Sequence, residues 1–489
     1  LNIFIGRILY IKHVIVNVID FSCDIIYAHK KEFLLRSINM KIAKFGGSSL
    51  ANAFQIQKVC DIILSDEDRR IIVVSAPGKR TRDDIKVTDL LIAVAKARIA
   101  GEDITVPLQK VTDRFSEITG DLNISSVLPD IVKNLTDTAT AEYTDAVAYL
   151  DSVKAMGEDS SARLVAAYLT SIGHPAKYCN PKECGLFLEH DEAGKARILG
   201  ESYDNLENLK YEKCLCIFPG FYGYSKSGEI ITFSRGGSDI TGSILAGAVN
   251  ADIYENWTDV DNVFAVNPNI VKNPFPITEI TYDEMRELAY AGFSVLHEEA
   301  LYPVYVRGIP VHIRNTNNPN ASGTKIVSNR SHYDSLVTGI ASERGFLTIT
   351  VTKYLMNHEI GFLLTLLKIF TEEGISIEHM PSGIDSVTII ARKKYFTPEK
   401  EEIIVNRIKN EAHAETVQIE RDLAIVMIVG QAMEKSVGIM ARAASALSAA
   451  GINLKIVNQG ASEISLMFGV SEAYSEYAVR VLYKELFRY

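Results

Sequence analysis

Two stretches of this chain repeat each other at one fixed offset, and that repeat constrains the fold more than any other feature. "LTITVTKYLMNHEIGFLLTLLKIFTEEGISIEHM" begins at Leu347, and "AIVMIVGQAMEKSVGIMARAASALSAAGINLKIV" begins at Ala424. Gly361 and Gly438 are 77 residues apart, as are Gly374 and Gly451, and Met356 and Met433. The strand patterns Val387–Ile390 and Ile464–Met467 keep the same offset without a gap. Each copy reads strand, loop, helix, glycine, strand. Two copies are too few for a solenoid, so the pattern predicts a pair of small α+β modules. The predicted boundaries are 336–420 for the first module and 421–489 for the second. Side-by-side pairing of such modules, within or between chains, hides strand edges and predicts a homodimer or a dimer of dimers.

From Met40 to about residue 330 the pattern differs. Apolar strands such as "RRIIVVSAPG" (Arg69–Gly78), "EKCLCIFPGF" (Glu212–Phe221), "GEIITF" (Gly228–Phe233) and "ADIYENWTDV" (Ala251–Val260) alternate with helical stretches such as Asp239–Ala248 and Asp283–Tyr290. Continuous apolar strands between helices predict a mostly parallel sheet covered on both faces. Such sheets bind ligands at the carboxyl ends of their strands. Residues 1–39 are apolar but interrupted by Arg7, Lys12, Asp20 and Asp24, and no run reaches the ~18 uncharged residues of a spanning helix. They are read as an extension outside the functional core, which is expected to begin at Met40. A net charge of −10 argues against a nucleic-acid partner but not against a phosphate-bearing small ligand. Six cysteines in 489 residues do not suggest a disulfide framework. His174, Cys179, Cys184 and His190 are too loosely spaced for a zinc motif, and Cys214 and Cys216 read as packing residues on one strand face.

The chemistry concentrates at two corners. In "KFGGSS", Lys44 ends a strand, and Gly46, Gly47 and Ser48 open a helix-like run. Backbone N–H groups at a helix start attract anions, and glycines let a phosphate approach closely. "FSRGGSDITGS" repeats the design with Arg235, Ser238 and Asp239. Neither G-x-x-x-x-G-K-[ST] nor G-x-G-x-x-G occurs, so these are not the usual nucleotide loops. "WTDVDNVFAVNPNIV" (Trp257–Val271) is an acidic, aromatic loop suited to a nucleotide, and in "MGEDSSARLVAAYL" Glu158 is expected at a helix start.

In this order, "KFGGSS", "VVSAPG…TDLL", "GEDSSARL", "PGFYG", "SRGGSD" and "WTDVDNVF" resemble the aspartate kinases of the amino-acid kinase family. The repeat resembles a tandem pair of ACT modules, and the likeness covers 40–489. The resemblance implies a three-layer αβα amino-acid kinase fold with a mostly parallel sheet, followed by two ferredoxin-like ACT modules. It implies transfer of the γ-phosphoryl group of MgATP to the side-chain carboxylate of L-aspartate, with Mg2+ carried by ATP and no separate protein metal site. It gives Lys44 and Asp239 catalytic roles, and Gly46, Gly47, Ser48, Thr258 and Asp259 nucleotide contacts. It assigns the aspartate pocket to Ser75, Thr88, Glu158, Phe221, Arg235 and Ser238. The chain departs from the family pattern at Ser294, where many members carry lysine, and at Glu298, where proline usually follows the histidine. The resemblance also implies a cytoplasmic enzyme at the head of lysine, threonine, methionine and diaminopimelate synthesis. Acidic residues in the first copy suggest lysine as effector, acting alone or with threonine, at Met356, His358, Glu359, Gly361, Phe362 and Glu378. A kinase for another amino acid or a nucleoside monophosphate, and a non-catalytic amino-acid sensor, are the competing readings. Assay with aspartate separates them.

Overall fold

The computed structural model describes residues 39–191, 194–234, 236–293, 296, 298–330, 332–333, 335–460 and 462–487. The extension over 1–38 and residues Arg235, Ser294 and His297 lie outside them, as does the side chain of Glu298. The described chain divides after Trp257 into two compact units.

In the first unit, β1 (Lys41–Phe45) leads through a 3-10 turn (Gly47–Leu50) to α1 (Ala53–Leu64). β2 (Arg69–Val74) is followed by α2 (Val87–Ile99), and a long helix, α3, runs over Ala146–Ser171. Then come β3 (Ala176–Tyr178), β4 (Leu215–Pro219), β5 (Tyr222–Tyr224), β6 (Ile230–Thr232), α4 (Gly237–Val249) and β7 (Ile253–Thr258). The strands β7-β1-β2-β4-β3 form a parallel array. β1 and β2 lie inside it, and Ile42, Ala43, Phe45 and Ile71–Val74 are fully buried, which is why β2 runs apolar after its two arginines and β1 is apolar apart from Lys41 and Lys44. Arg69 and Glu255 meet inside the unit with Nε 2.6 Å from Oε2, and Trp257 stacks on Phe45.

Two expectations are corrected. "GEIITF" does not join the parallel sheet: β6 pairs antiparallel with β5 as a separate hairpin. Ser225 and Gly228 close that hairpin through backbone hydrogen bonds, and the turn returns the chain to β5 before it can cross to the main sheet. Glu158 is not at a helix start but near the middle of α3. The helix begins at its Asp145 cap, where the side chain accepts from Val147 N.

In the second unit, β8 (Glu279–Thr281) opens directly into α5 (Tyr282–Tyr290) through a capping box of Thr281 and Glu284. β9 (Val311–Asn315) and β10 (Thr324–Val327) pair antiparallel, and β8 pairs parallel with β10. The repeat follows as β11 (Gly339–Thr352), α6 (Phe362–Glu372), β12 (Ile377–His379), β13 (Ser386–Arg392), α7 (Pro398–Glu411), β14 (Thr416–Val429), α8 (Ile439–Ala449), β15 (Ile456–Gln459), β16 (Ser465–Val470) and α9 (Ser475–Leu486). The two copies merge into one six-stranded antiparallel sheet, β12-β13-β11-β14-β16-β15. The first half of β11, Gly339–Glu343, pairs with Ile425–Val429 of the second copy. Its second half, Phe346–Thr352, pairs with β13. Leu347, Ile349, Val351, Phe362, Leu366 and Phe370 are buried in the first module's core.

Candidate active site

β1, β2 and β4 end side by side. Ser75 N donates to Phe45 O at 3.2 Å, and Gly220 N donates to Val74 O at 3.0 Å. The carboxyl ends of parallel strands therefore converge where ligands are expected. Two backbones touch there: Gly78 N donates to Gly47 O at 2.8 Å. A Cβ on Gly47 would lie 2.9 Å from Ala76 O, and one on Gly78 would lie 2.6 Å from Gly47 C. Only glycine fits either place. Because of the intervening 3-10 turn, the phosphate-type corner does not open an α-helix directly. Ser48 is half-buried within that turn.

Lys44 is buried at the end of β1, and its Nζ lies 2.5 Å from Asp239 Oδ1. Asp239 sits in the first turn of α4, whose cap residue Gly236 lies in the left-handed region, φ 71°. The two Gly-Gly-Ser corners thus supply the two halves of one ion pair. Asn256 on β7, in register with Lys44, completes the group. Lys44 Nζ donates to Asn256 Oδ1 at 3.4 Å, and Asn256 Nδ2 donates to Asp239 Oδ1 at 2.9 Å. The sequence reading missed Asn256. Its signal is an amide standing among the buried residues of "IYENWT".

Beside this centre lies a second cluster. Phe221 holds φ at +79°, an unusual conformation for a bulky side chain that costs on the order of 1–3 kcal/mol. It is fixed there by its N–H donating to Thr241 Oγ1 and its carbonyl accepting from Phe233 N. Gly220 packs so tightly on Ser238 that a Cβ would come within 2.6 Å of that side chain. Thr88 is the second residue of α2, whose first residue, Val87, donates its N–H to Pro77 O. Glu158 is 5 % exposed, and its Oε2 has no hydrogen-bond partner. Its carboxyl accepts from Ala76 N–H, yet burial pushes its pKa up to about 8. Gly157 makes the approach possible, since a Cβ there would meet Ala76 Cβ at 2.7 Å. Ser75, Thr88 and Glu158 are thereby gathered around the end of β2, and Phe221 and Ser238 around the end of β4.

Thr258 ends β7, and its hydroxyl donates to Asp259 Oδ1 at 3.3 Å. In the repeat, Gly361 caps α6 with φ +89°, Met356 and Phe362 are buried in the module core, and His358 is exposed. Glu359 pairs with Lys353. Glu378 accepts from Arg392 Nε at 2.9 Å and from Tyr290 hydroxyl at 2.6 Å. It borders a cavity of about 520 Å³ with Arg286, Tyr290 and His379. Both acids of the expected effector site, Glu359 and Glu378, therefore have internal partners.

Among the described residues, no helix is long and apolar enough to cross a membrane. The model for the amino acid kinase family matches residues 39–315, and the model for the ACT domain matches 426–486. Aspartokinase 3 of Bacillus subtilis is 51% identical over 449 residues, spanning 92% of this chain and 99% of its own length. The crystal structure of Clostridium acetobutylicum aspartate kinase superposes with a TM-score of 0.79 at 37% identity, over 91% of this chain and 100% of that one. Escherichia coli aspartokinase III superposes in two states, each over 92% of this chain and 100% of that one. With aspartate and ADP (R-state) the TM-score is 0.75 at 26% identity, and with lysine and aspartate (T-state) it is 0.71 at 25%. The chain belongs to the amino acid kinase family, among the aspartokinases, and carries an ACT domain toward its carboxyl end.

Proposed function

We propose that this chain is an ATP:L-aspartate 4-phosphotransferase whose reaction centre is the Lys44–Asp239 pair. The observations that carry the reading are that pair at the end of β1 and, past the end of the adjoining β2, Glu158, a buried acid that meets Ala76 and keeps one oxygen unpartnered. A cation held between glycine corners suits a phosphoryl group. A buried, half-satisfied carboxylate suits an ammonium ion, because the charge it receives offsets its own desolvation. A substrate with an amino group at one end and a phosphoryl acceptor at the other fits both. The E. coli relative was solved with aspartate and ADP, which supports this choice.

Aspartate would place its ammonium on Glu158 and its α-carboxylate on Arg235, for which a forked guanidinium is suited. Ser75, Thr88, Phe221 and Ser238 would line the pocket. A side-chain carboxylate oxygen would then attack the γ-phosphorus in line, forming the new P–O bond as the bond to ADP breaks. Bound Mg2+ would neutralise charge on the phosphates. Gly46, Gly47 and Ser48 would admit the phosphate chain, Lys44 would meet the charge on the transferred group, and Asp239 would hold Lys44 in place. Thr258 and Asp259 would contact the nucleotide. Such a reaction depends chiefly on positioning and charge stabilisation.

The domain reading that goes with this is a kinase domain over 40–330 and two modules over 336–420 and 421–489, with 339–343 lent to the second module's sheet. Lysine, alone or with threonine, would bind the first module at Met356, His358, Glu359, Gly361, Phe362 and Glu378. The T-state relative was solved with lysine, which supports that effector. Assembly through the modules as a dimer or dimer of dimers, a cytoplasmic location, and a place at the start of lysine and threonine synthesis complete the proposal. ATP-dependent hydroxamate formation from aspartate tests it, repeated with lysine, threonine and both. Product with aspartate and none with glutamate is expected; the reverse preference would contradict it.

A further inference from the structure

We infer that Asn256 is a positioning residue for phosphoryl transfer, setting the direction in which Lys44 presents its free N–H. The inference rests on the catalytic reading of Lys44 and Asp239. Asn256 is 3 % exposed, and nothing in strand pairing requires an amide at this position. Its polar atoms are spent on the centre: Oδ1 accepts from Lys44 Nζ at 3.4 Å, and Nδ2 donates to Asp239 Oδ1 at 2.9 Å. Serving both takes a side chain that accepts and donates at once, since Lys44 can only donate and ionised Asp239 can only accept. An ammonium has three N–H donors. Asn256 accepts from one, the ion pair with Asp239 at 2.5 Å draws on a second, and these two contacts restrict where the third points. The third is the one left for a phosphoryl oxygen.

The backbone supports this role. β7 and β1 are paired in register at Asn256 and Lys44, so both side chains leave the sheet on the same face from adjoining strands. Tyr254, two residues earlier on that face, donates its hydroxyl to Asp239 O at 3.1 Å. It also fills the space against Gly242, where a Cβ would come within 2.6 Å of its ring. β7 therefore holds Asp239 twice, by its backbone through Tyr254 and by its carboxylate through Asn256.

The test compares wild type with Asn256→Leu and Asn256→Asp. Asn256→Leu removes both hydrogen bonds, so kcat should fall about ten- to hundredfold, the size expected for lost bonds to charged groups. KM for aspartate should stay within about twofold, because Asn256 is not among the residues proposed to touch it. Asn256→Asp separates positioning from packing. Ionised, the new carboxylate repels Asp239 and cannot donate to it. Protonated, it donates O–H to Asp239 and accepts from Lys44, as the amide does. Its kcat relative to wild type should therefore rise as pH falls. The labelling rate of Lys44 by an acylating reagent, followed by mass spectrometry without substrate, gives a readout that does not depend on the acceptor; it should change in both variants. An inactive wild type would overturn the assigned substrate, while labelling would still report on Asn256. Unchanged kcat and unchanged Lys44 labelling in Asn256→Leu, or a flat Asn256→Asp ratio across pH, would overturn the inference.

Discussion

Glu158 and Glu378 are both carboxylates in packed surroundings, one in each unit, and they are finished differently. Glu158 keeps one oxygen without a partner, and burial raises its pKa to about 8. Glu378 has both oxygens engaged, one by Arg392 and one by Tyr290. The first is unfinished until a cation arrives. The second is complete, so a cationic ligand must exchange partners rather than fill a vacancy. An unsatisfied buried group favours tight, specific capture of substrate. A satisfied one ties binding to rearrangement, and a ligand shifts a conformational equilibrium only through such differences between states. A ligand that took the place of Tyr290 on Glu378 would free the end of α5, a mechanical consequence within the second unit.

The largest effect should come from Lys44 and Asp239. Lys44→Ala and Asp239→Ala should each lower turnover by about two to three powers of ten, as removal of one transition-state contact does elsewhere. Circular dichroism and melting curves should show a folded protein. Near wild-type turnover in folded Lys44→Ala would place the chemistry elsewhere.

Next comes the complete acid. If lysine binds by exchanging into the Glu378 pairs, Glu378→Ala should raise the lysine concentration for half-inhibition about tenfold, the loss expected for one charge-assisted contact. Activity without lysine should persist. Dose–response curves for wild type and variant decide it, and coincident curves would remove Glu378 from the effector site.

A smaller effect is expected on stability. The Glu158 carboxyl has an ordinary pKa of 4.5 when unfolded and about 8 when folded. Between these values the folded form holds a proton that the unfolded form has lost. Its contribution to stability is therefore complete below 4.5 and is lost as pH rises toward about 8. Glu158→Gln lacks this loss, so its melting temperature should exceed that of wild type by roughly 5 °C at pH 8, and by less at pH 5. Scanning calorimetry at both values checks the sign.

Much of this was legible before the structure. The 77-residue offset between Gly361 and Gly438 places two helices at equivalent points of one sheet, because a helix cap needing positive φ marks glycine in both copies. Lys44 and Asp239 stand at the paired glycine corners in the sequence, and the structure joins them in one ion pair. Other features were hidden for physical reasons. "GEDSSARL" resembles a helix start because small and acidic residues cap helices, but here the small residues let the middle of α3 approach Ala76. "GEIITF" has the composition of a buried strand, and only the turn before it makes it a hairpin. The sharing of Gly339–Glu343 with the second module depends on pairing across the repeat, which periodicity does not report. Asn256 gains its meaning only from its register with Lys44.

The most direct test of the contrast between the two acids is the pH dependence of aspartate KM in wild type and Glu158→Gln. Aspartate's ammonium should bind the ionised form of Glu158, so wild-type KM should fall as pH rises and level off near pH 8, the pKa of the free enzyme's buried carboxyl. The variant should show a higher KM at pH 8 and no such limb. Parallel profiles in the two proteins would contradict the account, because the unpartnered oxygen of Glu158 would then have no part in holding the substrate.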